Sequence, residues 1–126
     1  MVNMVYEVVK NNPIFQKDFR LCSQITGGAV SVMSNIAEGF SRKTRKEFIN
    51  FLFIAKASAG EVQSLLYVCL DQYYISKEKF NELYNQADKT ARLISGFISY
   101  LIDKSKTTQK TQSTQRTQGT QSTPYD

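Results

Sequence analysis

The chain has 126 residues, enough for one domain, since single domains typically run about 100 to 150 residues. Hydrophobic residues make up 41% and charged residues 21%, with a net charge of +5, the balance of an ordinary soluble protein. No stretch approaches the ~20 apolar residues of a membrane span, no signal-peptide pattern opens the chain, and histidine is absent.

Val2 to Asn11 reads as a short amphipathic helix, with Val5, Val8 and Val9 on one side, stopped by Asn11-Asn12-Pro13. At ~1.5 Å per residue it spans roughly 15 Å, against about 36 to 42 Å for the helices that follow. From about Lys17 to Phe40, the residues Leu21, Cys22, Ile25, Ala29, Val32, Met33, Ile36 and Phe40 recur at helical spacing. Gly39 marks the expected terminus. Thr44 and Glu47 then form a Thr-x-x-Glu capping box, in which hydroxyl and carboxylate can each satisfy a free backbone N–H.

The next helix is predicted from about Arg45 to Gln72, with Phe48, Leu52, Ala55, Ala59, Val62, Leu66 and Cys69 on its main face. Tyr73-Tyr74-Ile75 is a short connection. Ser76 caps the last helix, where Glu78 suits the positive end of the dipole. Its seam is Phe80, Leu83, Ala87, Ala91, Ile94, Ile98 and Leu101. No β alternation or hairpin signal competes. The expected fold is therefore all-α, an antiparallel up-down four-helix bundle over residues 1–104 with a short first helix.

From Ser105 the composition changes. Residues 105–126 repeat Thr-Gln at intervals of three from Thr108 and contain no aliphatic side chain. Such a segment cannot bury enough apolar surface to offset its ordering entropy, so a disordered low-complexity tail is expected. Of the 16 basic and 11 acidic residues, 13 and 10 precede Ser105, leaving a domain of +3 and a tail of +2. The two cysteines, Cys22 and Cys69, sit in apolar periodic stretches without a CxxC spacing. They read as buried thiols of a protein in the reducing cytoplasm.

Without histidine, the Ser-His-Asp and Cys-His nucleophile systems, HExxH zinc sites and the carboxylate-plus-ExxH di-iron site are excluded. Gly27-Gly28 follows no strand and precedes no lysine, so it is not a phosphate-binding loop. At about 1 kcal/mol per Gly relative to Ala, the pair is costly in a helix. Close approach of another helix would explain it. No catalytic residue, metal, cofactor or small-molecule substrate is expected.

Arg42, Lys43, Arg45 and Lys46 place four cations in five residues at a helix junction. They can contact phosphates or simply form a solvated loop, and no aromatic residue interrupts the run to stack on bases. Asn35 and Glu38 lie three apart on one helix face. With Glu61 they are expected to form a structural polar cluster, paired with Arg42 or Arg92, rather than an acid–base pair. Phe48, Ile49, Phe51 and Phe53, with Leu52 and Ile54 between them, are apolar on every side of their helix. One face there is expected to meet another subunit.

The string Ser34-Asn35-Ile36-Ala37-Glu38-Gly39-Phe40 is specific. Gln24-Ile25 and Ala29-Val30-Ser31 precede it; Arg42, Lys46-Glu47-Phe48, Phe51-Leu52, Ile54-Ala55 and Glu61 follow. With these residues the chain resembles, over roughly residues 2 to 103, the bacterial four-helix-bundle proteins encoded in intervening sequences of 23S ribosomal RNA genes. The accessory (variability-determinant) proteins of diversity-generating retroelements share that fold. The resemblance implies a non-enzymatic bundle that assembles as a ring-shaped homo-oligomer, a pentamer. For the retroelement branch it also implies binding to a reverse transcriptase and to RNA or DNA through a basic surface.

Three positions depart from the family pattern. Met33 stands where a Pro is usual, so no kink is expected there. Gly27-Gly28 replaces a basic pair. The first helix is shorter than the family's and lacks its usual Trp, which implies a truncated reading frame or a groove left partly uncovered. The expectation is an oligomeric accessory protein with a nucleic-acid or reverse-transcriptase contact at the basic junction. The alternative is a self-assembling intervening-sequence protein with no nucleic-acid partner.

Overall fold

The computed structural model describes the backbone of residues 1–115 and the side chains of residues 1–104. Its elements are all helices: α1 (Val2–Lys10), α2 (Pro13–Lys17), α3 (Phe19–Phe40), α4 (Arg45–Asp71) and α5 (Lys77–Gln115). The three long helices run antiparallel in chain order, and α1 lies against α3 as the short fourth member. The backbone of α5 continues to Gln115, past the expected boundary at Lys104. The rest of the segment expected to be a disordered tail lies outside the described residues.

α2 is an element that periodicity did not reveal. Asn12 Oδ1 accepts from the N–H groups of Ile14 and Phe15, each at 3.1 Å. Pro13 sits in the first turn, where its missing N–H costs nothing. This single turn drives Phe15 into the core. Asp18 then caps α3 by accepting from Leu21 N–H at 3.1 Å. Both caps also hold the far side of the molecule. Asn12 Nδ2 donates to the carbonyl of Tyr74, and Tyr74 O–H donates to Asp18 Oδ2 at 3.1 Å. The Tyr74 ring stacks on Phe15 with centroids 4.9 Å apart. The α1–α2–α3 corner is thereby pinned to the α4–α5 turn.

That turn closes as a Schellman motif, with Tyr74 N–H bonded to Cys69 O at 2.9 Å and Tyr73 N–H to Leu70 O at 3.0 Å. The left-handed residue is Tyr73, at φ 60°, where Gly is usual. Its side chain is 92% exposed.

The core has two parts. In the lower one, Val5 and Phe15 join Ile25, Leu66, Cys69 and Leu83, so every helix contributes. Burial pushes the Cys69 thiol up to about 12, and Cys22, also raised by burial, donates to Phe15 O. The upper part, built from Val32, Ile49, Leu52, Ala55, Ile94, Ile98 and Leu101, draws on α3, α4 and α5. α1 begins at mid-height, so above it an open groove of about 690 Å³ runs along α3 past Met33, Ile36 and Phe40. Met33 and Phe40, grouped with the core by spacing, are 57% and 64% exposed. Periodicity placed them on the correct face, but among the described residues nothing covers that end of it. α3 is continuous through Met33.

Close approach of α3 and α4 is made possible by Gly28. A Cβ there would meet Val62 Cγ2 at 3.1 Å and Ser58 O at 3.9 Å. At Gly27 a Cβ would meet nothing within 4 Å. Gly39, expected as a helix stop, has no positive φ. It is a packing glycine instead, because a Cβ would lie 2.8 Å from Phe48 Cδ1 and 3.1 Å from Phe51 Cβ.

Two outcomes are expected. Gly27→Ala raises the unfolding free energy by about 0.5–1 kcal/mol, whereas Gly28→Leu lowers it by about 1–3 kcal/mol through overpacking against Val62. Urea melts of both variants check this, and equal effects would contradict the packing role. Tyr73→Gly raises stability by about 1 kcal/mol, since it relieves a left-handed backbone and removes no packing. A lower melting temperature for that variant would show that the ring has a structural partner.

Candidate nucleic-acid interface

The basic run lies where α3 ends and α4 begins. Ser41 closes α3, with its Oγ donating to Glu38 O at 2.7 Å. Thr44 opens α4 by accepting from Glu47 N–H at 3.1 Å, the expected hydroxyl half of the capping box. The two caps lie only three positions apart in the chain, so the cations project from one compact corner.

Their situations differ. Arg42 donates to Glu38 Oε1 at 2.6 Å and lies over the Phe51 ring, 4.9 Å from its centroid. An exposed pair of this kind contributes about 0.2–1 kcal/mol, and it leaves the guanidinium oriented. Arg45 is half-buried and makes contacts of its own. Lys43 and Lys46 are exposed and form no ion pair among the described residues. α5 returns to the same end, since Leu101 shares a core with Ile49 and Leu52. Lys104, with its Nζ 5.8 Å from the Tyr100 ring centroid, therefore joins this end.

A row of rings crosses the same end. Phe48 lies 4.7 Å from Phe40 and 5.4 Å from Phe97. Phe40 lies 6.3 Å from Phe97, and Phe97 lies 6.2 Å from Tyr100. Sequence order hid this arrangement, because Phe97 and Tyr100 reach the basic corner only through the antiparallel return of α5.

The expected polar cluster forms with different members. Asn35 Nδ2 donates to Ser31 O at 2.8 Å and to Ser31 Oγ at 3.0 Å. Ser31 Oγ meets Ser58 Oγ across the helix pair at 2.9 Å. Glu38 is engaged with Arg42 instead, and Arg92 pairs with Asp88 at 2.6 Å. Glu61 faces solvent on the outside of α4. Gly28 stands opposite Val62 and Gly39 opposite Phe48, a register that separates Glu38 and Glu61 by about 15 Å along the bundle. The two carboxylates cannot share a proton.

The expected subunit face is also redrawn. Ile49 is only 3% exposed and belongs to the chain's own core. Phe48 and Phe51 are half-buried against Gly39 and under Arg42. Phe53 remains outside at 49% exposure, with Ile54 and Val68. These surround a column of Asn50, Glu61 and Ser64, interrupted by the small Ala57, and all four are exposed. The helix thus keeps a polar stripe that the run around Phe48 conceals.

Among the described residues no cluster of His, Cys, Asp and Glu could hold a metal, and no helix is long and apolar enough to cross a membrane. The class defined is a small antiparallel helical bundle with a polar seam and a basic end. Residues 1–96 match the family model described as 23S rRNA-intervening sequence protein, and the chain belongs to that family. Among solved structures it is similar to a protein of unknown function from the S23 ribosomal protein family of Bacteroides thetaiotaomicron VPI-5482. The two are 28% identical, with a TM-score of 0.68, over 77% of this chain and 87% of that one. No curated protein matches.

Proposed function

We propose that this is a non-enzymatic, self-associating accessory protein that binds nucleic acid through the phosphates at its basic end. The observation that carries the reading is that Lys43 and Lys46 form no ion pair among the described residues, in one short run with an oriented Arg42 and at the same end of the bundle as Lys104. Lys43 and Lys46 are available to displace counterions from a phosphate backbone. A further segment of net charge +2 follows Lys104 in the sequence. Phosphate contacts position a strand without reading its sequence, which suits a scaffold more than a sequence-specific regulator.

Charge reversal of Arg42, Lys43, Arg45 and Lys46 tests the reading. The wild type is expected to lose about tenfold or more in affinity for structured RNA or duplex DNA between about 50 and 200 mM salt. The variant, folded by circular dichroism, is expected to bind neither at any salt. Undetectable binding by the wild type would redirect the corner to a protein partner, a reverse transcriptase among them.

Self-association is supported by Phe53 and Ile54, adjacent apolar side chains about half exposed on the outside of α4. Ile54→Lys is expected to lower the mass measured by light scattering towards that of one chain while the helical spectrum stays unchanged. An unaltered mass would exclude this face as the contact.

A further inference from the structure

We infer that the aromatic row beside the basic corner is a stacking platform for single-stranded nucleic acid, with Phe40 and Tyr100 as its exposed rings. The inference rests on the phosphate-binding reading above and adds the class of strand.

Phe40 is 64% and Tyr100 55% exposed, although both adjoin the upper core. Phe97 bridges them, its plane within 6° of the Tyr100 ring. Phe48 supports Phe40 from behind at 4.7 Å. The exposed rings are therefore held by other rings and keep little freedom to lose when a base stacks on them. Cations stand at both ends of the row. Arg42 follows Phe40 by two residues and is fixed by Glu38, while Lys104 lies against Tyr100. A line of aromatic faces flanked by phosphate-seeking charge is how proteins hold single strands without reading their sequence. A duplex offers these rings nothing, because its bases are already stacked on one another.

The apolar groove continues from Phe40 towards Met33 and Ile36, and an amphipathic helix of a second copy could lie there. Charge favours the strand. Arg42 and Lys43 follow Phe40 by two and three residues, and their charge complements phosphates and not the apolar face of a helix.

The test compares an oligothymidylate of about 12 nucleotides with an abasic strand of equal length and charge, by fluorescence anisotropy at fixed low salt. The full wild-type chain is expected to bind the thymidylate about tenfold more tightly. The Phe40→Leu/Tyr100→Leu variant is expected to lose that preference while keeping its affinity for the abasic strand and its salt dependence. Equal wild-type affinity for both strands, with binding present, would overturn the platform and leave the phosphate site standing. So would a preference that survives in the variant. A variant that changes subunit number would assign the row to a subunit contact and overturn the inference. Binding of neither strand would remove the phosphate reading and this inference together.

Discussion

The close approach of α3 and α4 is the constraint on which the rest depends. It is set at three heights, by Gly28 under Val62, by the Ser31–Ser58 hydroxyl contact, and by Gly39 under Phe48 and Phe51. Small residues bring two backbones together, and the price is lost helix propensity at each glycine. Two helices held this closely leave room only for short polar side chains in the seam. Ser31, Asn35 and Ser58 satisfy one another there, and among the described residues no buried side-chain polar atom lacks a partner. A slip of one turn would separate the two serines and drive Val62 away from the gap that fits it. The polar seam thus specifies register, as buried polar groups do when every member is satisfied.

That register also arranges the basic end. Because Gly39 admits Phe48 and Phe51, the Phe51 ring lies under Arg42 and the Phe48 ring behind Phe40. The same glycine therefore places both the oriented cation and the supported ring. At the opposite end a different device operates. Asn12 and Asp18 each cap a helix and also bond to Tyr74, so α1 and α2 are secured where they touch the α4–α5 turn. The bundle is closed by its short helices at that end. It is three-helical and open at the basic end.

Local chemistry was the legible part. Thr44 and Ser76 cap the helices they announce, and spacing identified the buried seam of α5 from Phe80 to Leu101. What escaped was whatever depends on a distant neighbour. α2 is a single turn, too short for periodicity, and the ties from Asn12 and Asp18 to Tyr74 span 62 and 56 residues. Met33 and Phe40 share a face with Val32 and Ile36, yet spacing shows only which residues face together, not whether anything covers them. Glu61 was grouped with Asn35 and Glu38 as a polar cluster, which spacing along two separate helices cannot test. Ser58 is buried and bonded to Ser31, whereas Glu61, one turn further along α4, is exposed at the rim of that face. The aromatic row was unreadable for a similar reason, since its rings come from three different helices.

The arrangement of charge at the junction bears on why the end is basic at all. Arg42 and Lys43 follow the C-terminus of α3, where the helix dipole favours cations. Arg45 and Lys46 occupy the first turn of α4, where the dipole opposes them. Each misplaced cation costs about 0.3–1 kcal/mol at low salt, and Glu47 is the one carboxylate in that turn. Arg45 makes contacts of its own, whereas Lys46 is exposed and in no ion pair among the described residues. At the α4 N-terminus the dipole and the Arg45 and Lys46 side chains have the same sign, whereas the C-terminus of α3 beside it has the opposite sign and offsets part of that potential. The cations in the first turn of α4 are thus tolerated at a local cost, which Glu47 in the same turn partly offsets.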